Sequence, residues 1–124
     1  MATKNKVDVG AWFEEWCEIT FDLKLAGIHR SGYDAVDSKG LKYQIKIRDN
    51  STQNTSFDNL KLDAFDYLLG GIYEKNSLKL LTVYKIPSKD IKQIPLGAGN
   101  RLRFNKERKE WLKRYVVFTD SVVS

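Results

Sequence analysis

The sequence predicts a layered α/β (α+β) fold, one mixed β-sheet flanked by helices. Three observations carry this. Apolar residues recur at three- and four-residue spacing across residues 9–25. Residues 41–48 alternate apolar and polar, as a half-buried strand does. A basic segment near the C-terminus opens on Asn105, a good helix N-cap. At 124 residues the chain is expected to be a single domain, 1–124, with a core at about 9–116 and frayed termini.

The first helix places Trp12, Phe13, Trp16, Cys17 and Ile19 on an apolar stripe, with Glu14, Glu15 and Glu18 in or near its early turns. Gly27 is its expected end. A hairpin follows, with strands at 32–37 and 41–48 joined by the turn Ser38-Lys39-Gly40. In its second strand Leu41, Tyr43, Ile45 and Ile47 share one face, and Lys42, Gln44, Lys46 and Arg48 share the other. Such a polar face either meets solvent or lines a site. Residues 49–56 hold no apolar side chain and read as a polar loop that a ligand can order. Residues 60–66 read as a short helix or an extended piece. Residues 67–73 read as a buried strand, 74–77 as a turn, and 78–86 as the antiparallel partner, stopped by Pro87. Ser88 is a candidate cap for a turn at 89–93, and 101–104 is a candidate short strand. The last helix is expected at 106–116, with Trp111, Leu112 and Tyr115 buried.

Composition narrows the chemistry. One Cys leaves no internal disulfide and no multi-cysteine metal site, and one His leaves no two-His motif. No apolar run reaches the roughly 18–20 residues that span a bilayer. The first ten residues carry no apolar signal core, so a cytoplasmic, reducing location without membrane contact is expected. Net charge is +5, and residues 100–114 account for all of it with seven basic and two acidic residues. A local basic surface on a neutral body fits a polyanion such as DNA. Arg48, Arg101, Arg103, Lys106, Lys109 and Lys113 are the candidate phosphate contacts.

Asp34 and the adjoining strand Gln44-Ile45-Lys46 form the constellation with chemical content. Gln44 and Lys46 are two apart and share a face, Asp34 lies across the hairpin, and Glu14 can reach the same edge from the helix. Asp34 is a hard oxygen ligand for Mg²⁺, with Mn²⁺ as a substitute. The Gln44 side-chain oxygen, the Ile45 carbonyl and Glu14 can complete the donor set. Lys46 suits a cation that holds the attacking hydroxide and offsets charge in the transition state. The structural readings are simpler. Asp34 can pair with Arg30, Asp37 fits the turn, and Asp63 and Asp66 fit turns or solvent. Cys17, Trp12, Trp16 and Trp111 fit the core, and His29 fits a loop.

The segments Gly10-Ala-Trp-Phe-Glu14, Tyr33-Asp34 and Tyr43-Gln44-Ile45-Lys46, with 65–69 and the hairpin ending at Tyr84-Lys-Ile-Pro87, resemble the PD-(D/E)XK nuclease superfamily. More narrowly they resemble its Q-x-K branch, seen in Mrr-type restriction endonucleases. The resemblance covers roughly residues 10–87. It implies a restriction-endonuclease-like sheet and Mg²⁺-dependent DNA cleavage, with Asp34, Gln44 and Lys46 as catalytic residues and Glu14 as the helix acid. Tyr33 stands where the family motif has Pro, and Gln44 where many relatives have Glu. A restriction, homing or junction-resolving role is open, and cutting both strands suits a homodimer. No small-molecule cofactor is expected. Two alternatives stand beside this reading: a nuclease-like DNA-binding or assembly subunit with weak or no cleavage, and a partner for an acidic protein.

Overall fold

The computed structural model describes residues 8–27, 32–51 and 55–120. Helix α1 (Val9–Phe21) starts at Asp8, whose side chain accepts a hydrogen bond from the Ala11 N–H at 3.0 Å. Its stripe buries Phe13 and Cys17, while Trp16 stacks on Phe13 and meets Phe21 and Phe118 edge-on. The helix stops sooner than its periodicity suggests. Asp22 takes the left-handed conformation (φ 56°), its N–H bonds to Glu18 O, and the chain leaves at once as β1 (Lys24–Leu25). Gly27 lies in the connection beyond.

A six-stranded sheet forms the centre. Besides β1 it holds β2 (Ala35–Val36), β3 (Lys42–Asp49), β5 (Tyr67–Glu74), β6 (Lys79–Pro87) and β8 (Val116–Thr119), in the order β1-β2-β3-β5-β6-β8. All neighbours are antiparallel except β3 and β5. A parallel pair needs a crossover. Here the crossover carries β4 (Ser56–Phe57), which pairs with β7 (Leu102–Arg103) in a separate two-stranded sheet. The expected mixed sheet flanked by helices is what forms, including the 2-3 hairpin and the long 5-6 hairpin.

Five local expectations are corrected. The first hairpin strand is only Ala35–Val36, because the ladder breaks at Asp34. Part of the expected polar loop, Ser56, belongs to β4 and is buried. Residues 60–66 form turns rather than a helix or strand. Ser88 does not cap α2 (Ser88–Ile91) through its side chain; its N–H instead donates to Asp66 O at 2.9 Å. The C-terminal stretch taken as frayed pairs with β6 as β8 up to Thr119, so the sheet extends past residue 116.

Two neighbouring glycines show how the layers seat. A Cβ at Gly71 would lie 2.6 Å from Phe13 Cζ, and one at Gly70 would lie 2.5 Å from Phe57 Cε2. Each face of β5 thus lets one phenylalanine ring touch the backbone. On the Phe13 face, α1 covers Leu23, Ala35, Tyr43, Ile45, Leu69 and Val83. On the Phe57 face, β4, β7, α2 and α3 (Lys106–Leu112) cover Leu68 and Ile86. Full burial of each such side chain contributes about 1.5–3 kcal/mol. Asn105 caps α3 as expected, accepting from Arg108 N at 2.8 Å. The helix is shorter than 106–116 and tightens into a 3-10 turn, Lys113–Tyr115. Its buried side chains are Leu112 and Arg108, with the Arg108 guanidinium 5.3 Å from the Trp111 ring centre.

Candidate active site

The site begins where β2 and β3 fork. Asp34 N–H donates to Tyr43 O at 2.7 Å, the last bond of the ladder. Beyond it the Asp34 carboxylate, not a backbone carbonyl, accepts from the Ile45 N–H at 2.7 Å. A residue's N–H and C=O point to the same edge of a strand. The Ile45 carbonyl therefore faces the gap that Asp34 has opened. Val36 and Lys42 close the other end of this short ladder.

Glu14 of α1 is half-buried, while Glu15 is exposed. Burial pushes the Glu14 pKa up, and the Asp34 and Asp8 carboxylates push it further. Glu14 is thus within electrostatic range of Asp34. The same burial, with Glu14 close by, raises the Cys17 thiol to about 12, so Cys17 is an inert core residue as expected.

Lys46 projects from β3 on the face toward β4. Partial burial lowers its pKa, and Arg48 lowers it further; Asp34 and Asp58 act against this. Lys46 thus lies within electrostatic reach of Asp34. Gln44, one step down the same face, is only 7% exposed. Its Oε1 accepts from the Lys61 N–H at 3.2 Å, which uses one of the two lone-pair directions of an amide oxygen. The even-numbered face of β3 is therefore not uniform: Lys42 is exposed, while Gln44 and Lys46 are covered to different degrees. Gln44 pins the crossover, and Lys46 stands half-buried beside it.

Asp58 is the residue that the sequence pattern did not single out. Its carboxylate lies 3.0 Å from Arg101 Nε and 4.0 Å from Arg48 Nη2, and it accepts from Ser56 Oγ at 2.6 Å. Partial burial works to raise its pKa, but Ser56 and the two arginines outweigh it, and the net shift is downward. Arg48 also donates to its neighbour's carbonyl, Ile47 O, at 2.8 Å. Two of the six candidate phosphate contacts, Arg48 and Arg101, are thus held against Asp58. The other four, Arg103, Lys106, Lys109 and Lys113, are exposed, with Lys113 paired to Glu110 at 2.9 Å on the surface.

The remaining candidates fall into structural roles. Asp37 accepts from the N–H groups of Lys39 and Leu41 and from the Tyr43 hydroxyl, and so builds the hairpin turn. Asp66 accepts from Lys42 N at 2.8 Å, and Asp63 pairs with Lys92 at 2.7 Å. Trp12 and Trp16 pack on the core. His29 and Arg30, and with Arg30 the bland pairing for Asp34, lie outside the described residues.

Among the described residues no group of three or more His, Cys, Asp or Glu side chains is gathered. At the fork stand the Asp34 carboxylate and the Ile45 backbone carbonyl, with Glu14 close enough that the two carboxylates repel. These are hard oxygens, the donor type that Mg²⁺ takes, and a cation would relieve that repulsion. Among the described residues no helix is long and apolar enough to cross a membrane.

No family model matches this chain, and no curated protein is similar to it. Among solved structures it resembles a bacterial homing endonuclease, I-Ssp6803I. The two share 21% sequence identity over 99% of this chain and 80% of that one, with a TM-score of 0.47. A likeness of that size concerns the path of the backbone and assigns no residue a role.

Proposed function

We propose that this protein is a small Mg²⁺-dependent DNA endonuclease. The observation that carries this reading is the Asp34 carboxylate seated on the Ile45 N–H at the fork between β2 and β3, with Glu14 of α1 and Lys46 of β3 each within electrostatic range of it. Glu14, Asp34 and the Ile45 carbonyl would hold the metal, with the remaining lone pair of Gln44 Oε1 as a fourth donor. A bound Mg²⁺ supplies polarisation of the phosphate and a water of lowered pKa. The chain's own residues do the rest. Asp34 fixes the β3 backbone through Ile45 N–H and so sets where the carbonyl points. Lys46, with its pKa lowered, orients the attacking oxygen and offsets charge that develops on the phosphate. The exposed cations Arg103, Lys106, Lys109 and Lys113 bind neighbouring phosphates. A homodimer would supply the second active site that a double-strand cut requires.

A second reading has one observation in its favour. The bond from Lys61 N–H to Gln44 Oε1 weakens the only neutral side-chain donor, as suits a DNA-binding subunit with slow cleavage. A nicking assay separates the two. Supercoiled plasmid and a four-way junction are incubated with protein and Mg²⁺ or Mn²⁺, beside Asp34→Ala and Lys46→Ala. Metal-dependent nicking that falls about 100-fold or more in each variant supports the endonuclease. The preferred substrate separates junction resolution from duplex cutting. Binding without nicking, unchanged in both variants, overturns it.

A further inference from the structure

A cavity of about 350 Å³ lies on the same sheet face as Lys46, away from the fork. Its floor is Ile72 of β5 with Leu81, Thr82 and Tyr84 of β6, its wall is Phe104 with Lys109 and Lys113, and Asn50 and Thr55 close one end. The volume lies within the range of small-ligand sites, about 300–1,000 Å³. Among the described residues the lining holds two cations, Lys109 and Lys113, and no carboxylate. Lys113 pairs with Glu110 where both side chains are about three-quarters exposed. Such a pair contributes little and exchanges readily. The two cations favour a ligand that carries an anionic group.

The lining is also aromatic. Tyr84 meets Phe104 edge-on at 6.0 Å, and Phe104 meets Phe57 at 5.1 Å. Phe57 lies on Gly70, which is the register partner of both Lys46 and Tyr84. Two strand spacings, about 10 Å, thus separate Lys46 from Tyr84 across the sheet. The Asn50 side chain adds an amide, the group that pairs with base edges.

We propose that this cavity is a nucleotide subsite. It takes one unpaired nucleotide of the DNA close to the bond at Lys46, the phosphate on Lys109 and Lys113 and the base against Tyr84 and Phe104. A phosphate alone needs no apolar floor, and a base inside the stack cannot enter. The inference rests on the DNA reading above and adds the part of the substrate recognised beside the fork.

Two binding measurements test it without any cleavage. In the first, amide shifts are followed on adding thymidine 5′-monophosphate or inorganic phosphate. The nucleotide is expected to move the signals of Asn50, Thr82 and Tyr84 at about tenfold lower concentration than phosphate. The effect is lost in the Lys109→Gln/Lys113→Gln protein. Silence at these signals, or equal potency of the two probes, overturns the nucleotide assignment. In the second, affinity is compared for a paired duplex and one with a single unpaired nucleotide. About a tenfold preference for the latter is expected. It should vanish in Lys109→Gln/Lys113→Gln and persist in Arg103→Gln/Lys106→Gln, which removes the same charge outside the cavity. Equal affinity for both duplexes in the unmodified protein, or equal loss in both double variants, overturns the proposal. Because neither readout needs nicking, a protein that passes here and fails the plasmid assay keeps the subsite and loses the endonuclease reading.

Discussion

The two faces of the sheet are built by different means. On one, a single 13-residue helix lays Phe13 and Cys17 over the strands, and the partly buried Trp16 and Phe21 extend the contact. On the other, a patchwork of β4, β7, α2 and α3 presses Phe57 onto Gly70. Lys46 stands on one side of that ring and the aromatic cavity on the other. A continuous helix seals a surface because its side chains interdigitate over several turns. Short segments seal only where a large side chain happens to land. The helical face supplies rigidity and one carboxylate, Glu14, at its rim. The patchwork face supplies the polar chemistry.

The largest effect expected from this comparison is on the sealed face. Phe13→Ala should lower unfolding free energy by about 3–5 kcal/mol, read by chemical denaturation, because the helix cannot collapse into the space left. The two glycines sharpen the contrast. Gly71→Ala forces a Cβ into Phe13, which a long helix holds, and should cost about 2–3 kcal/mol. Gly70→Ala forces one into Phe57, which a two-residue strand holds, and should cost nearer 1 kcal/mol while lowering nicking. If Gly70→Ala proves the more destabilising, the patchwork layer is as stiff as the helix and the contrast fails.

Asp58→Asn tests whether the second face holds cations in reserve. Releasing Arg48 and Arg101 should tighten DNA binding. The salt dependence of the affinity should steepen by about one to two phosphate contacts. An unchanged salt slope would mean that the arginines serve only to tie β3 to the crossover.

The smallest effect concerns Glu14. Its folded pKa is raised above the ordinary 4.5, so the stability it confers is complete below 4.5 and is lost as pH rises through the raised value. Without divalent metal, Glu14→Gln should therefore melt about 2 °C above the unmodified protein at pH 7 and show no advantage below pH 4. A lower Tm at pH 7 would mean that the carboxylate is satisfied by a contact other than Asp34.

What the sequence determined by itself was local. The alternation of 41–48 specified β3 and which side chains share its faces, because strand geometry has a period of two. Asn105 specified the start of α3, because a cap needs only its own side chain and the next turn. Asp34, Gln44 and Lys46 drew attention through their residue types and spacing, and Glu14 through the family resemblance; the structure brings the Asp34 carboxylate onto the Ile45 N–H. The tertiary structure decided everything that depends on a distant partner. Trp16 pointed to a buried helix face, yet nothing in its spacing shows that Phe118 meets it. Residues 116–119 look like a loose end until the edge of β6 gives them a ladder. Asp58 looks like a loop acid until folding sets it between Arg48 and Arg101, which are ten and forty-three residues away. The packing of α1 likewise distinguishes Glu14 from Glu15, half-burying one and leaving the other exposed. Hydrogen-bond periodicity is written into neighbouring residues. The electrostatics of a site come from residues that only the fold makes neighbours.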